Sequence, residues 1–201
     1  FTLRVRAASQ DVLLTIPKRS ALADAEQFAA RNAAWIGARL RRLPPLVPFQ
    51  NGARIPILGV EHLIAHRPQA RGVIWLEAND PELAQPGEPL LCVAGHEMHV
   101  ARRVHDYLKR LAKKEIETRV HKHATALGKF PATITLRDTS SRWGSCSATG
   151  RLNFSWRLIL APEHVLDYLT AHEVAHLAHL DHSPKFWAVT RRLSPETDRA
   201  E

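Results

Sequence analysis

The sequence, 201 residues long, predicts an α+β protein. Three observations carry that prediction. Short runs of aliphatic and β-branched residues broken by Gly and Pro dominate residues 1–95, a long helical periodicity begins after Gly95, and a shorter helix further on carries His172-Glu173-Val174-Ala175-His176. The expected layout is an N-terminal β-rich region with one helix over residues 1–95. Residues 96–201 should then form a domain with a long helix, a small mainly antiparallel sheet and the helix bearing H-E-x-x-H.

Hydrophobic residues make up 45% of the chain, ample for a packed core at this length. A net charge of +8 favours an anionic partner such as nucleic acid, a nucleotide or an acidic protein, and says nothing of fold. Two cysteines, Cys92 and Cys146, are too few for a disulfide framework, so a reducing compartment, the cytoplasm, is expected. No apolar run reaches the roughly 20 residues of a membrane helix, and no signal-peptide pattern is present. Neither a membrane nor a stable protein partner is expected. The chain opens at Phe1 in mid-strand without a Met, so a preceding leader stays open.

Thr2–Arg6 alternates apolar and basic residues and Val12–Ile16 is a second β-rich run, together a hairpin that Pro17 ends. Ser20 is the expected N-cap of a helix reaching about Leu43, with Leu22, Phe28, Trp35, Ile36 and Leu40 at its apolar positions. Arg39, Arg41 and Arg42 complement its C-terminal dipole, and Pro44, Pro45 and Pro48 make a stiff connector. Ile55–Leu58, His62–His66, Val73–Leu76 and Leu90–Val93 read as a small antiparallel sheet without assigned chemistry.

The long helix runs to about Leu127, where Gly128 and Pro131 close it, with Val100, Val104, Leu108, Leu111, Ile116, Val120 and Leu127 facing the core. Arg102, Arg103, Lys109, Arg110, Lys113 and Lys114 are the densest basic cluster, read either as a solvated face or as a groove for an anionic substrate. His96-Glu97-Met98-His99 falls one residue short of a zinc motif and reads as a capping segment.

The β signal returns at Thr133–Arg137, then Ser140–Ser147, a turn at Ala148-Thr149-Gly150, and Leu152–Trp156. An edge strand at this point could pair with an extended peptide above a metal, with Gly144 admitting another backbone closely. Arg142, Trp143, Gly144 and Arg157, with Ser145 and Cys146, are candidate pocket residues, although each taken singly reads more readily as structural.

Pro162 suits a first helical turn and Glu163 complements its dipole; Val165, Leu166, Leu169 and Val174 supply the buried face. His172 and His176, four apart, lie one above the other and can present ring nitrogens to one ion, a catalytic zinc. Glu173 then sits beside the ion, placed to deprotonate a zinc-bound water. A catalytic zinc needs a third protein ligand. The candidate is His182, where Asp181, Ser183 and Pro184 end one helix and begin another; Glu196 is the rival. His179 either contacts substrate or the transition-state oxyanion, or is exposed.

Ser141-Arg142-Trp143-Gly144-Ser145-Cys146, Leu152-Asn153, Trp156-Arg157-Leu158-Ile159, the H-E-x-x-H motif, His182-Ser183 and Phe186-Trp187 together resemble the YgjP-like family of bacterial metal-dependent hydrolases. The resemblance is strong over about residues 130–190 and extends to Ile55-Pro56-Ile57-Leu58-Gly59. It implies a zincin-like C-terminal domain, similar to SprT-type proteases that act on proteins crosslinked to DNA. The ligands it implies are His172, His176 and His182, with Glu173 as base. The chain departs from the metzincins, which carry Gly at the position of His179 and a downstream Met-turn; the one methionine here is Met98.

The expected function is a zinc-dependent metallopeptidase acting on a peptide or protein substrate. Two alternatives stay open: a nucleotide hydrolase in which the same activated water attacks a phosphoanhydride, and a DNA-associated protease or nucleic-acid-binding module.

Overall fold

The computed structural model describes residues 1–6, 10–43, 47–78, 88–139 and 142–201. Pro44, Pro45 and Ser140-Ser141 lie outside the described residues, as does most of the Pro- and Asp-rich loop before Leu90. Packing divides the chain into two compact units, residues 1–46 and 47–201.

In the first unit β1 (Thr2–Arg6) and β2 (Asp11–Thr15) pair antiparallel, Thr2 opposite Thr15, with an Arg6–Asp11 ion pair at the turn end. The single helix expected to Leu43 is two, α1 (Leu22–Arg31) and α2 (Ala33–Arg41). Asn32 breaks it: its backbone leaves the helical region at φ −100°, ψ 8°, and its side-chain amide donates to the Phe28 carbonyl at 2.8 Å. Ser20 does not cap α1, which starts after Ala21 without a side-chain bond.

The second unit opens with β3 (Arg54–Ile57), β4 (Val60–Arg67), β5 (Ile74–Ala78) and β6 (Pro89–Ala94) in the order β3-β4-β6-β5. This sheet is not wholly antiparallel as expected. β5 turns back on the far edge, so β6 returns between β4 and β5 and runs parallel to β4. The β3–β4 turn consists of Leu58 (φ 50°) and Gly59 (φ 80°), both left-handed as a two-residue type I′ hairpin demands.

Ile55, Ile57, Ile64, Leu91 and Val93 from this sheet share one core with Val100, Val104, Leu108, Ile116 and Val120 of α3 (Val100–Leu127). The boundary expected between Gly95 and His96 therefore falls inside the second unit. Gly128 (φ 73°) caps α3, its N–H bonded to the Ala124 carbonyl at 2.8 Å.

Beyond α3 lie β7 (Thr133–Arg137), β8 (Gly144–Cys146) and β9 (Arg151–Ser155) in the order β7-β9-β8. The expectation of a mainly antiparallel sheet needs correction here too, because central β9 is parallel to β7 and antiparallel to β8. β8, three residues long, is an edge strand whose other side pairs with no described strand. A 3-10 turn (Trp156–Leu160) leads to α4 (Glu163–Ala175), then α5 (Pro184–Leu193) and α6 (Thr197–Ala200). Arg119 to Glu163 at 2.7 Å and His123 to Asp167 at 3.0 Å tie α3 to α4 beside the packed Leu166 and Val174.

Candidate metal centre

α4 carries His172 and Glu173 in its last turn and ends at His176, which keeps near-helical angles (φ −63°, ψ −18°). One turn separates His172 from His176, so their rings meet edge to face with centroids 5.0 Å apart. The chain then leaves the helix, and Ser183 caps α5 by accepting from the Phe186 N–H at 3.4 Å. That turn brings His182 back over the first two rings, its centroid 5.1 Å from His172 and 4.9 Å from His176.

Each of the three histidines offers one nitrogen, and these nitrogens lie within 4.8 Å of one another, forming the one such cluster among the described residues. Nε2 of His172 and Nε2 of His182 are 3.2 Å apart. Two nitrogens on a tetrahedral zinc at 2.0–2.1 Å would stand about 3.3 Å apart, so the pair fits that ion. Glu196, the rival ligand, is outside the cluster and bonds Arg199 at 3.2 Å.

The remaining nitrogens are held from behind. Nδ1 of His176 donates to the backbone carbonyl of His179 at 2.9 Å, which leaves Nε2 free as a lone-pair donor. Nδ1 of His172 is 3.4 Å from the Tyr168 hydroxyl. Phe186, fully buried, lies under all three rings at 4.9, 4.5 and 4.8 Å from His172, His176 and His182. Burial, then the neighbouring His176 and His182, pulls the His172 pKa down to about 4. Burial likewise lowers that of His176. Neutral imidazole is the form that binds a metal.

Glu173 is 5% exposed, and burial pushes its carboxyl up to about 7. Its Oε2 is buried with no hydrogen-bond partner among the described residues. A buried carboxylate oxygen without a partner beside three convergent imidazoles is able to accept from something bound there. Gly144 of β8 stands directly against it: a Cβ at that position would lie 2.5 Å from Glu173 Oε1 and 2.8 Å from its Cγ. The close approach anticipated for Gly144 is thus to a side chain of its own chain.

The model of the YgjP-like metallopeptidase domain matches residues 1–201. The chain belongs to this family. A YgjP-like metallopeptidase is a hydrolase of peptide substrates that relies on a divalent metal, and the histidine triad is the cluster here with the chemistry to hold one. Two solved structures resemble part of the chain. One is the metallopeptidase zymogen abylysin of Pyrococcus abyssi, 21% identical with a TM-score of 0.38, covering 42% of this chain and 85% of that one. The other is the metallopeptidase zymogen jannalysin of Methanocaldococcus jannaschii, 22% identical with a TM-score of 0.38, covering 42% of this chain and 88% of that one. No curated protein matches.

The other expected site residues of this YgjP-like chain fall in two groups. Arg142, Trp143 and Gly144 line a cavity of about 250 Å³ together with Arg137, Ser145 and Asn153. Trp143 is 57% exposed, while its carbonyl accepts from the Ser155 N–H at 2.8 Å. Arg157 is engaged elsewhere: it donates to Asp138 at 2.9 and 3.3 Å and lies 5.0 Å over the Trp156 ring. His179 reaches the site through its carbonyl. Cys146 is outside the triad, and burial, with the Glu173 charge, raises its thiol to about 11. Both cysteines are free thiols. Among the described residues no helix is long and apolar enough to cross a membrane.

Sequence reasoning did not find Phe186 as the floor of the triad or the His179 carbonyl as an orienting group. Phe186 had a legible signal, since it follows His182 by four positions and stands three after the Ser183 cap.

Proposed function

We propose that this chain is a zinc-dependent metallopeptidase in which His172, His176 and His182 hold the zinc and Glu173 is the general base. The observation that supports it most is the unpartnered, buried Oε2 of Glu173 beside three converging ring nitrogens. Zinc in that position supplies Lewis acidity, lowering the pKa of water and polarising a carbonyl. Glu173, buried beside the three ring nitrogens, would accept the proton of the attacking water and return it to the leaving amine. The His179 carbonyl and the Tyr168 hydroxyl keep the ligand rings in register.

The unpaired edge of β8 offers backbone groups to an extended peptide at Gly144, next to Glu173. Arg142 and Trp143, just before that strand, are the side chains we assign to substrate contact; Arg157 serves the wall behind them through Asp138. His179 is assigned a positioning role.

One observation favours phosphoanhydride hydrolysis as a second reading: the cavity at Gly144 is flanked by Arg137 and Arg142. Zinc-loaded chain and its Glu173→Gln variant, tested on a peptide library and a panel of nucleoside triphosphates, separate the two. The expected result is Glu173-dependent cleavage of peptides. Turnover of triphosphates alone would replace the first reading by the second.

A further inference from the structure

β7 and β9 run parallel and β8 antiparallel to both, so the carboxyl ends of β7 and β9 and the amino end of β8 meet at one end of the sheet. Gly144, the contact to Glu173, is at that end. Two cavities open there, one of about 250 Å³ at Gly144 and one of about 320 Å³ between α3 and β7. Arg137 lines both. Lys109, Arg110 and Lys113 of α3 wall the second cavity, and Arg142 the first.

The acid in this wall, Asp138, is consumed by Arg157. Of the five cations, Lys113 alone has an ion pair among the described residues, a loose one with exposed Glu117 at 3.9 Å. Arg137 uses Nε on the Asn153 amide oxygen at 3.0 Å, which fixes the guanidinium without neutralising it. Trp156, also lining the second cavity, buries an indole N–H with no hydrogen-bond partner among the described residues. Clustered like charges repel, and so many cations around continuous concave surface create a positive potential that an anionic ligand relieves.

Resting on the peptidase reading, we infer that this track from Arg142 through Arg137 to Lys109 and Lys113 binds acidic side chains of the substrate on the carboxyl-terminal side of the scissile bond. The direction follows from strand pairing. β8 runs from Gly144 to Cys146, so a peptide pairing antiparallel with its free edge passes Cys146 first and leaves past Gly144 with its carboxyl-terminal residues. Those residues enter the basic cavities. A substrate of this kind has an acidic cluster a few residues after the cut.

The test uses three fluorescent peptides of one length: glutamates in the carboxyl-terminal half, glutamates in the amino-terminal half, and neutral. Binding is read by anisotropy in the zinc-loaded Glu173→Gln chain, so it does not depend on cleavage. The first peptide should bind about tenfold more tightly than the neutral one at low salt, with the preference fading as salt screens it. Lys109→Glu with Lys113→Glu should abolish the preference and raise binding of a lysine-bearing counterpart, with the thermal midpoint unchanged. Equal binding of all three peptides, or preference for the second, overturns the inference. So does stronger competition by a single-stranded oligonucleotide of equal charge than by the first peptide. Absence of cleavage in the wild-type chain bears on the peptidase reading alone.

Discussion

Gly144 and Glu173 occupy space that leaves no room for a carbon between them: a Cβ on Gly144 would stand 2.5 Å from Glu173 Oε1. The carboxylate is thereby wedged between the edge strand and its own helix, with one oxygen unpartnered.

Gly144→Ala should displace the carboxylate while leaving the three histidines in place. Turnover is expected to fall about a hundredfold, the usual consequence of a misplacement near 1 Å, with zinc content unchanged. Activity together with metal analysis checks this. Retained activity would show that Glu173 has freedom that the contact denies it.

Without metal, two groups of the centre pull stability in opposite directions with pH. Glu173 has its folded pKa raised from 4.5 to about 7, so stability it confers below 4.5 is lost as pH rises through 7. At 5% exposure that difference is worth about 3 kcal/mol. His172 has its folded pKa lowered from 6.5 to about 4, so its contribution is present above 6.5 and lost as pH falls through 4. Glu173→Gln removes the first dependence and exposes the second. Metal-free Glu173→Gln should be more stable than the parent at pH 8, and should lose stability on acidification from pH 6.5 to 4 more steeply than the parent, as read by thermal melts across pH.

Phe186→Leu retains an apolar side chain but removes the ring under all three imidazoles. Zinc affinity is expected to drop about tenfold to a hundredfold, the range seen when groups supporting metal ligands are altered. Phe186→Ala should additionally cost about 3–5 kcal/mol of stability by leaving a cavity. Competition with a chelator and chemical denaturation measure the two.

Asp167 is raised by burial, but the hydrogen bond and positive field of His123, with Lys122, more than offset this and hold it at about 2. A depressed carboxyl stabilises above its ordinary pKa of 3.8, and that contribution is lost as pH falls through 2. Asp167→Asn should therefore cost about 2 kcal/mol at pH 7 and almost nothing below pH 2, which denaturant midpoints at the two pH values would show.

The clustering of His172, His176 and His182, with Glu173 beside them, was legible because it rests on spacing along one helix and one turn. His172, Glu173 and His176 need only the period of 3.6, and His182 only the stop signals that follow. Asn32 splitting the first long helix and the parallel β4–β6 and β7–β9 ladders were not legible. A helix break depends on a local competition that Asn usually loses, and strand direction depends on which edge a later strand finds. Gly144 is the intermediate case. Its smallness announced that something comes close, yet only the packing of β8 on α4 identifies Glu173 as the neighbour.

The tight Leu58-Gly59 turn carries a last consequence. The Leu58 N–H bonds the Ile159 carbonyl at 2.7 Å, and a Cβ on Gly59 would fall 2.8 Å from the Cα of Pro162, the residue that starts α4. The hairpin is thus a doorstop that sets where that helix begins. A fragment made to isolate the chemistry by cutting at residue 96 would discard the doorstop along with five sheet residues of the core, Ile55, Ile57, Ile64, Leu91 and Val93, whereas one cut at Val47 keeps both. The smallest piece that keeps the histidine cluster on its own packing is accordingly set by a turn remote from the cluster in sequence.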